Sequence, residues 1–445
     1  MQLNGIRLGA LSEETPTQPS QPSPVQVEGD LHLAFETQGL QRLQASLRTV
    51  LPAVTLRRET NWVRARQVSV EASAELNPQG LRATLSRLNI EQPRLSLDGT
   101  LVWDRTGSSD APALQLDARL RDTDATAVRA MLVNMAGKGQ PWKLWDTIRG
   151  GRLEEMTLHT SGEKWRELGR MGNLRLAGKA AQGHIVVPGV QLDLSEAKGA
   201  WKLEKGVLTV APGATARHGG IQASNAVLSV GLANPPWPIT LTLDFNADLA
   251  DLPGVLKKVI PADKAQAELA RVGPTQGRAT GKLRLSGSVQ DLHVRVAARD
   301  ITLSAPYDRL PLPVRIKGPE LVYTDGQISF RDLSAGMGAS SLDAVSGHVA
   351  WQPAFVLALQ GRAARLSADE LFPWLSGLPG LGTKTGGIQS LAGTLQLTDF
   401  TVSGSPADRG GVVVRFGAKN DNKTAMVILT DKEPKPVAVG SPVRL

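Results

Sequence analysis

Short segments in which apolar and polar residues alternate strictly recur along this chain and constrain its fold more than any other feature. Clear examples are residues 114–120, 239–245, 292–296 and 355–359. Alternation places the apolar side chains on one face of a β-strand and the polar ones on the other. Glycine (45 residues) and proline (28 residues) separate the segments, as turns between strands require. Because the separations are too short for the crossovers of parallel pairing, we predict an all-β fold of antiparallel hairpins.

A few short helices are expected to interrupt the strands. Predicted helices begin near Asp124, Asp251 and Ser367, where a capping residue precedes helix formers, and residues 41–50 are a fourth candidate. The first three share one pattern, in which a proline and an alternating strand precede the helix and a glycine-led strand follows it. Divergent repetition of hairpins that have no core of their own predicts an elongated repeat array.

This repetition divides the chain into five predicted segments. They are a leading strand with a Pro- and Ser-rich linker (1–28), a β module (29–122), two repeats of a helix plus a β-meander (123–250 and 251–366), and a helix with further strands (367–445). We expect the last segment to be truncated and an export signal or anchor to belong to a longer protein, because no run of 18 apolar residues occurs.

The alternating strands pose a burial problem, because a one-faced antiparallel sheet cannot leave its apolar side in water. The few short helices cannot cover the roughly 25 strands that this spacing allows. The sheet must therefore close on itself, pair with a second sheet, or curl into a trough. We predict a curled groove, or β-taco, whose apolar inner face suits an acyl chain.

Residues of the clearest alternating segments are the candidates for lining this groove. They are Leu114, Leu116, Leu120, Ile239, Leu241, Leu243, Phe245, Leu283, Leu285, Leu292, Val294, Val296, Leu357 and Leu359. The pattern leaves open whether all of them face one groove, because a β-bulge reverses the alternation.

The chain resembles the AsmA/TamB-like superfamily of bacterial envelope proteins, whose repeating β-groove is related to that of bridge-like lipid transfer proteins. The resemblance is carried by residues 183–194, 199–208, 248–253 and 277–296 and covers roughly residues 80–405. It implies a periplasmic location, attachment to the inner membrane, and a role in outer-membrane phospholipid transport or assembly. The amino-terminal transmembrane helix that is usual in the family does not occur in this sequence, so we expect anchoring to come through missing segments or partner proteins.

The motifs that enzymes and cofactor-binding proteins require are missing. Walker-type, Rossmann-type and nucleophile-elbow patterns do not occur, and the chain has no cysteine. The six histidines are scattered, and the pair Asp122 and Asp124 is too small for a calcium site. The formal charge of +8 is dispersed rather than clustered, so we predict no nucleic-acid partner. We predict no catalytic residue, no cofactor and no metal site.

Taken from the sequence, the expected function is non-enzymatic: a periplasmic protein that binds or conducts phospholipid, or another acyl-chain lipid, along an apolar β-groove. Membrane association would come through missing segments or partner proteins. One alternative is a structural β-rich scaffold or adhesin-like protein without lipid. Another is a β-solenoid enzyme acting on polysaccharide, which should cluster carboxylates on one sheet face.

Overall fold

The computed structural model is all-β with a few short helices. It describes residues 2–4, 25–28, 32–38, 41–58, 61–106, 113–127, 129, 148–187, 192–233, 235–259, 266–267, 269–288, 290–351, 355–376, 393–405, 412–420 and 423–429. The chain forms two compact units. Unit 1 comprises Met1–His218, Ser224–Thr240 and Ser288–Gln290, and unit 2 comprises Gly219–Ala223, Leu241–Gly287 and Asp291–Leu445. The division into five segments stays a prediction.

The described residues contain strands β1 to β23. The first twelve are β1 (Gln2–Asn4), β2 (Val25–Glu28), β3 (His32–Gln38), β4 (Arg42–Arg58), β5 (Asn61–Asn77), β6 (Gly80–Gln92), β7 (Leu95–Asp104), β8 (Leu114–Asp124), β9 (Ile148–Gly162), β10 (Arg175–Val187), β11 (Leu192–Glu204) and β12 (Val207–His218). They are followed by β13 (Ile221–Gly231), β14 (Pro238–Asp248), β15 (Gln276–Ser288), β16 (Leu292–Ala305), β17 (Val314–Thr324), β18 (Gln327–Met337), β19 (Ser340–Ala350), β20 (Val356–Ser367), β21 (Thr394–Gly404), β22 (Val412–Asn420) and β23 (Lys423–Leu429).

Strands that follow each other in the chain are antiparallel neighbours. In unit 1 this holds from β3 to β12, while β1 pairs with β3 and β2 pairs with β4. In unit 2 it holds from β15 to β23. The predicted all-β array of antiparallel hairpins is confirmed.

Helices follow β8, β14 and β20, so six strands separate one helix from the next. Residues 125–127 are helical, and helices α1 (Leu252–Val259) and α2 (Ala368–Ser376) lie where the sequence places them. The Glu370 side chain accepts a hydrogen bond from the backbone N–H of Ala339, at 2.9 Å, and so ties α2 to the turn between β18 and β19. None of the helices in the described ranges has both the length and the apolarity to cross a bilayer.

Two expectations about the amino-terminal part of unit 1 are wrong. Residues 41–50 are not a helix, and all of them but Gln41 belong to β4. The spacing of Leu43, Leu47 and Val50 fits a helix, but Leu43, Ala45 and Leu47 also alternate as in a strand. Sixteen of the seventeen residues of β4, all except Pro52, pair with residues of neighbouring strands. Within the expected linker, Val25–Glu28 forms β2 against β4; residues 10–24 of that linker lie outside the described residues.

Most strands are longer than the alternating segments of the sequence suggest. From β4 to β21 they have 10 to 17 residues, and in nine of them a residue in the left-handed backbone conformation lets the strand continue after its alternation shifts by one. These in-strand residues are Gln67, Asp122, Gln182, Glu196, Asn225, Asp300, Asp332, Ala344 and Asp399, with φ near +50°. Short polar side chains tolerate this conformation best. On either side of each, the residues that share a face stand three apart instead of two.

In unit 2 these shifts lie at one level across neighbouring strands and define what we call the kink row. It consists of Ala279, Ile301, Gly318, Leu333, Val345, Gly361 and Phe400. Five of its side chains are less than 9 % exposed, and they belong to the closed parts of the apolar face. The glycines of the row are needed for close approach, since an added Cβ at Gly361 would lie 2.2 Å from the Phe400 ring.

Candidate functional site: the apolar face of the sheet

The strand register in unit 1 brings apolar residues into rows that cross the sheet. One row of directly paired residues runs through ten strands: Leu33, Leu47, Ala72, Leu85, Gly99, Ala118, Leu158, Leu176, Leu203 and Leu208. Paired residues in an antiparallel sheet point to the same side. The row therefore marks one continuous apolar face from β3 to β12.

The opposite face of the unit 1 sheet is polar, as the neighbouring row of paired residues, one position away along the strands, shows. The row shifted by one residue contains Ser46, Ser73, Thr84, Thr100, Asp117, His159, Arg175 and Glu204. Its members Asp117, His159, Arg175 and Glu204 are direct cross-strand neighbours from β8 to β11. Such a polar face is stable in water, whereas the apolar face on the other side of the sheet is stabilised by being covered.

The apolar face of unit 1 is not covered like the core of an ordinary domain. Of the ten-strand row only Leu203 is buried, and the others are half-buried. On this face β3 to β8 form a cavity of about 350 Å³. Its apolar lining consists of Leu33, Ala45, Leu47, Ala72, Ala74, Ala83, Leu85, Leu97, Gly99, Leu101, Leu116 and Ala118, and Ser46, Ser73, Thr84, Asp98, Thr100 and Asp117 also border it. Backbone amides there are engaged in the strand ladder, so the cavity offers almost no polar group to a ligand.

The strands of unit 2 also carry an apolar row on one face and a polar row on the other. One apolar row contains Leu283, Val296, Tyr323, Ile328, Val349 and Leu357, and all six are half-buried. Their neighbours Arg284, Arg295, Thr324 and Gln327 form a polar row on the other side and are exposed. Tyr323 also stacks on Trp351, with ring centroids 6.0 Å apart.

The residues that the sequence proposes as groove-lining lie on apolar strand faces. In β8, Leu116 lines the cavity, whereas Leu114 (1 % exposed) and Leu120 (7 % exposed) are closed off. In β14 the candidates Ile239, Leu241, Leu243 and Phe245 are all half-buried.

In unit 2, Leu285 pairs with Val294 and Leu283 with Val296, so these four share one face, as expected from the sequence. Leu357 and Leu359 are half-buried in β20, and Leu292 is 37 % exposed at the start of β16. Whether any of them contacts a ligand stays a prediction.

The small residues on the cavity floor were missed from the sequence. Ala72 and Ala74 in β5, Ala83 in β6 and Gly99 in β7 leave the space that larger side chains would fill. The signal exists in residues 69–76, where Val, Ala, Ala and Leu alternate with Ser and Glu. It is weak because alanine carries little of the apolar contrast that marks a strand face.

The polar face of unit 1 holds the other large concavity, a cleft of about 800 Å³ between β6 and β11. Asp98 and Asp117 line it and are already engaged: Asp98 lies 3.4 Å from Arg121, and Asp117 lies 2.7 Å from Nδ1 of His159. Partial burial raises the pKa of Asp117, but hydrogen bonds from His159 and Gln115 outweigh it and hold the pKa below its ordinary value. A glycosidase acid needs a raised pKa, so Asp117 does not suit that role.

Metal-binding geometry is also missing from the described ranges, where no three His, Asp or Glu side chains come together around a common point. No family model matches the sequence, and no curated protein or solved structure matches the chain. The resemblance to the AsmA/TamB-like superfamily therefore stays a prediction. The chemistry open to the site is that of its apolar face, which can hold a flexible apolar ligand and offers it few polar contacts.

Proposed function

We propose that this chain is a non-enzymatic protein that binds the acyl chains of phospholipid along the apolar face of its sheet. The observation that carries the proposal is the ten-strand apolar row of unit 1, which is half-buried and borders a cavity of about 350 Å³. Leaving such a face in water is unfavourable by about 25 cal/mol for each Å² of apolar surface. A bound chain removes this surface from water and gains about 0.8 kcal/mol for each buried CH₂ group.

An acyl chain suits this face better than a peptide or a sugar does. The backbone hydrogen bonds of β3 to β8 are used within the sheet, and the cavity lining is apolar. A ligand with its own amide or hydroxyl groups would lose their hydration without gaining partners, which is unfavourable by about 1–3 kcal/mol per group. A hydrocarbon chain has no such groups.

The cellular part of the proposal rests on the resemblance to AsmA/TamB-like proteins. It places the protein in the periplasm, tethered to the inner membrane through other segments or partner proteins, in outer-membrane biogenesis or homeostasis. The rival is a scaffold of the same fold that carries no lipid. Lipid content distinguishes the two.

A matched pair of variants in β5 tests the acyl-chain site. Ala74 lines the cavity, whereas Ser69, on the polar face of the same strand, does not border it. Ala74→Asp places a carboxylate against the bound chain, and desolvating that charge is unfavourable by roughly several kcal/mol. We expect lipid recovered with the protein, or crosslinked to it by a photoreactive fatty acid, to fall at least about tenfold. Ser69→Asp should retain the wild-type amount.

Folding is measured on the same two variants. Because the cavity is open, water can solvate the new carboxylate when no lipid is bound, and both variants should keep the wild-type circular dichroism spectrum. Wild-type protein without extractable or crosslinked lipid would favour the scaffold. Equal lipid in both variants would contradict the assignment of the site to this face.

A further inference from the structure

Exposed large apolar side chains of unit 1 concentrate along one edge of its sheet, the edge formed by the ends of β5, β7, β9 and β11. Among the described residues of that unit they are Leu43, Val50, Leu76, Trp165, Val207 and Val227. Four of them, Leu43, Leu76, Trp165 and Val207, lie at the ends of strands or in the loop between β9 and β10. Val50 and Val227 lie within strands. Exposed apolar residues scattered singly need no explanation, but a linear concentration points to a contact surface.

These four residues lie on the same edge because of the strand order. Consecutive strands from β4 to β12 are antiparallel, so every second connection returns to the same side of the sheet. The turns after β5, β7, β9 and β11 share this edge, which we call the unit 1 rim. Besides the four apolar residues it carries the exposed cations Lys164, Arg166 and Lys205.

The most prominent part of the rim is the loop that joins β9 and β10, and it is well braced. Buried Thr160 donates its hydroxyl to the carbonyl of Leu168 at 2.8 Å. The Glu167 carboxylate accepts the backbone N–H of Glu163 at 2.9 Å, and this bond, helped by Arg170 and Lys164, holds the pKa of Glu167 below its ordinary value. The loop therefore keeps Trp165 55 % exposed in a defined conformation, between two basic neighbours.

A cation–π pair lies at the same rim. The Arg105 guanidinium stands 5.1 Å from the ring centre of Trp103, at the end of β7. Tryptophan prefers the boundary between hydrocarbon and water, where its ring is apolar and its N–H is hydrated. Lysine and arginine beside it gain energy from negative headgroups. The loop from 163 to 174 carries three cations against two carboxylates.

We propose that the unit 1 rim binds the surface of an anionic lipid bilayer, with Trp165 and Val207 inserted at the interface and Lys164, Arg166 and Lys205 on the headgroups. This contact is separate from the acyl-chain site on the face of the sheet. It would hold the protein edge-on to the bilayer from which lipid is taken or to which it is given.

Binding to vesicles of phosphatidylglycerol and of phosphatidylcholine, measured by flotation with the whole chain, tests the rim. Wild-type protein should float with phosphatidylglycerol vesicles and lose this binding as salt is raised. Val207→Ser should weaken binding at least severalfold, whereas Val227→Ser, at an equally exposed valine within β13, should not. Likewise Lys164→Glu with Arg166→Glu should weaken it about tenfold or more, because each basic residue near such a surface contributes measurably.

The charge variant has a matched control in Lys179→Glu with Lys198→Glu, two exposed lysines in the middle of β10 and β11. If both double variants lost the same amount of vesicle binding, net charge alone would explain the loss, and the proposal that the rim binds the bilayer would be wrong. Wild-type binding that is absent or equal for the two lipids would also contradict it. Ala74→Asp should bind vesicles like the wild type. Vesicle binding without extractable lipid would therefore contradict the acyl-chain proposal alone, and lipid without vesicle binding would contradict the rim alone.

Discussion

Replacing Gly361 by alanine should destabilise unit 2 by about 1–3 kcal/mol, the usual result of forcing extra atoms into a packed site. Gly361 pairs directly with Phe400 in β21, and the new Cβ would lie 2.2 and 2.3 Å from two atoms of the phenyl ring. Phe400 is 7 % exposed and packs with Val345, Ala364 and Leu397, so the ring has no free space to enter. Urea unfolding followed by circular dichroism measures the loss.

A second glycine of unit 2 provides a control of opposite sign. Gly254 is exposed in α1, and an added Cβ there would meet nothing within 4 Å. Alanine favours a helix over glycine by about 0.8–1 kcal/mol, so Gly254→Ala should stabilise. Adding Phe400→Leu to Gly361→Ala should recover part of the loss, because the two changes share one contact and will not be additive. Shifts of the same sign in the two alanine variants would contradict close packing at Gly361.

Strand faces were predictable wherever alternation is uninterrupted and apolar contrast is high. In β15 and β16 the sequence places Leu283, Leu285, Val294 and Val296 on one face, and the register pairs them as expected. Each strand of such a hairpin is specified by local alternation, and the turn sets the register. The all-β class followed from the same signal.

The left-handed residues within strands were not predicted, and they explain why strand lengths were underestimated. Around Asp332 the apolar residues Phe330 and Leu333 stand three apart, which breaks a period of two. Leu397, Asp399 and Phe400 repeat the arrangement in β21. Both examples share a four-residue motif: an apolar residue, any residue, then Asp, Asn or Gln, and a second apolar residue. This motif indicates that the strand continues. Read locally, it looks like the end of one segment and the start of another.

The candidate site was predictable only in its chemistry. Alternation indicated that an apolar face exists, but the openness of that face depends on which strands lack a covering layer. The cavity of unit 1 arises where Ala72, Ala74 and Ala83 line up across strands, and sequence order alone does not reveal cross-strand register. The rim was missed for the same reason, since Trp165 and Val207 lie on the same side of the sheet only through strand order.

Deleting Asp332 should have the largest effect of any single change in unit 2. β18 pairs with β17 in one unbroken register from Gln327 to Met337, because both strands shift their alternation at the same level. β19 shifts there too, at Ala344. Without Asp332, β18 either follows the path of its neighbours or straightens. If β18 follows its neighbours, Ser334 and Gly336 take the positions of Leu333 and Ala335 on the apolar face. If β18 straightens, its backbone hydrogen bonds to β17 and β19 are lost.

Either outcome removes buried Leu333 from its contact with Val345, and removal of a buried leucine alone is typically unfavourable by about 2–5 kcal/mol. We therefore expect the deletion variant to lose the cooperative thermal unfolding of unit 2 and its resistance to proteolysis. Asp332→Gly keeps the residue count, and glycine adopts a φ of 50° freely, so this control should unfold close to the wild type. Equal unfolding midpoints for the deletion and the glycine variant would show that residue count at the kink row does not determine which side chains face the apolar side.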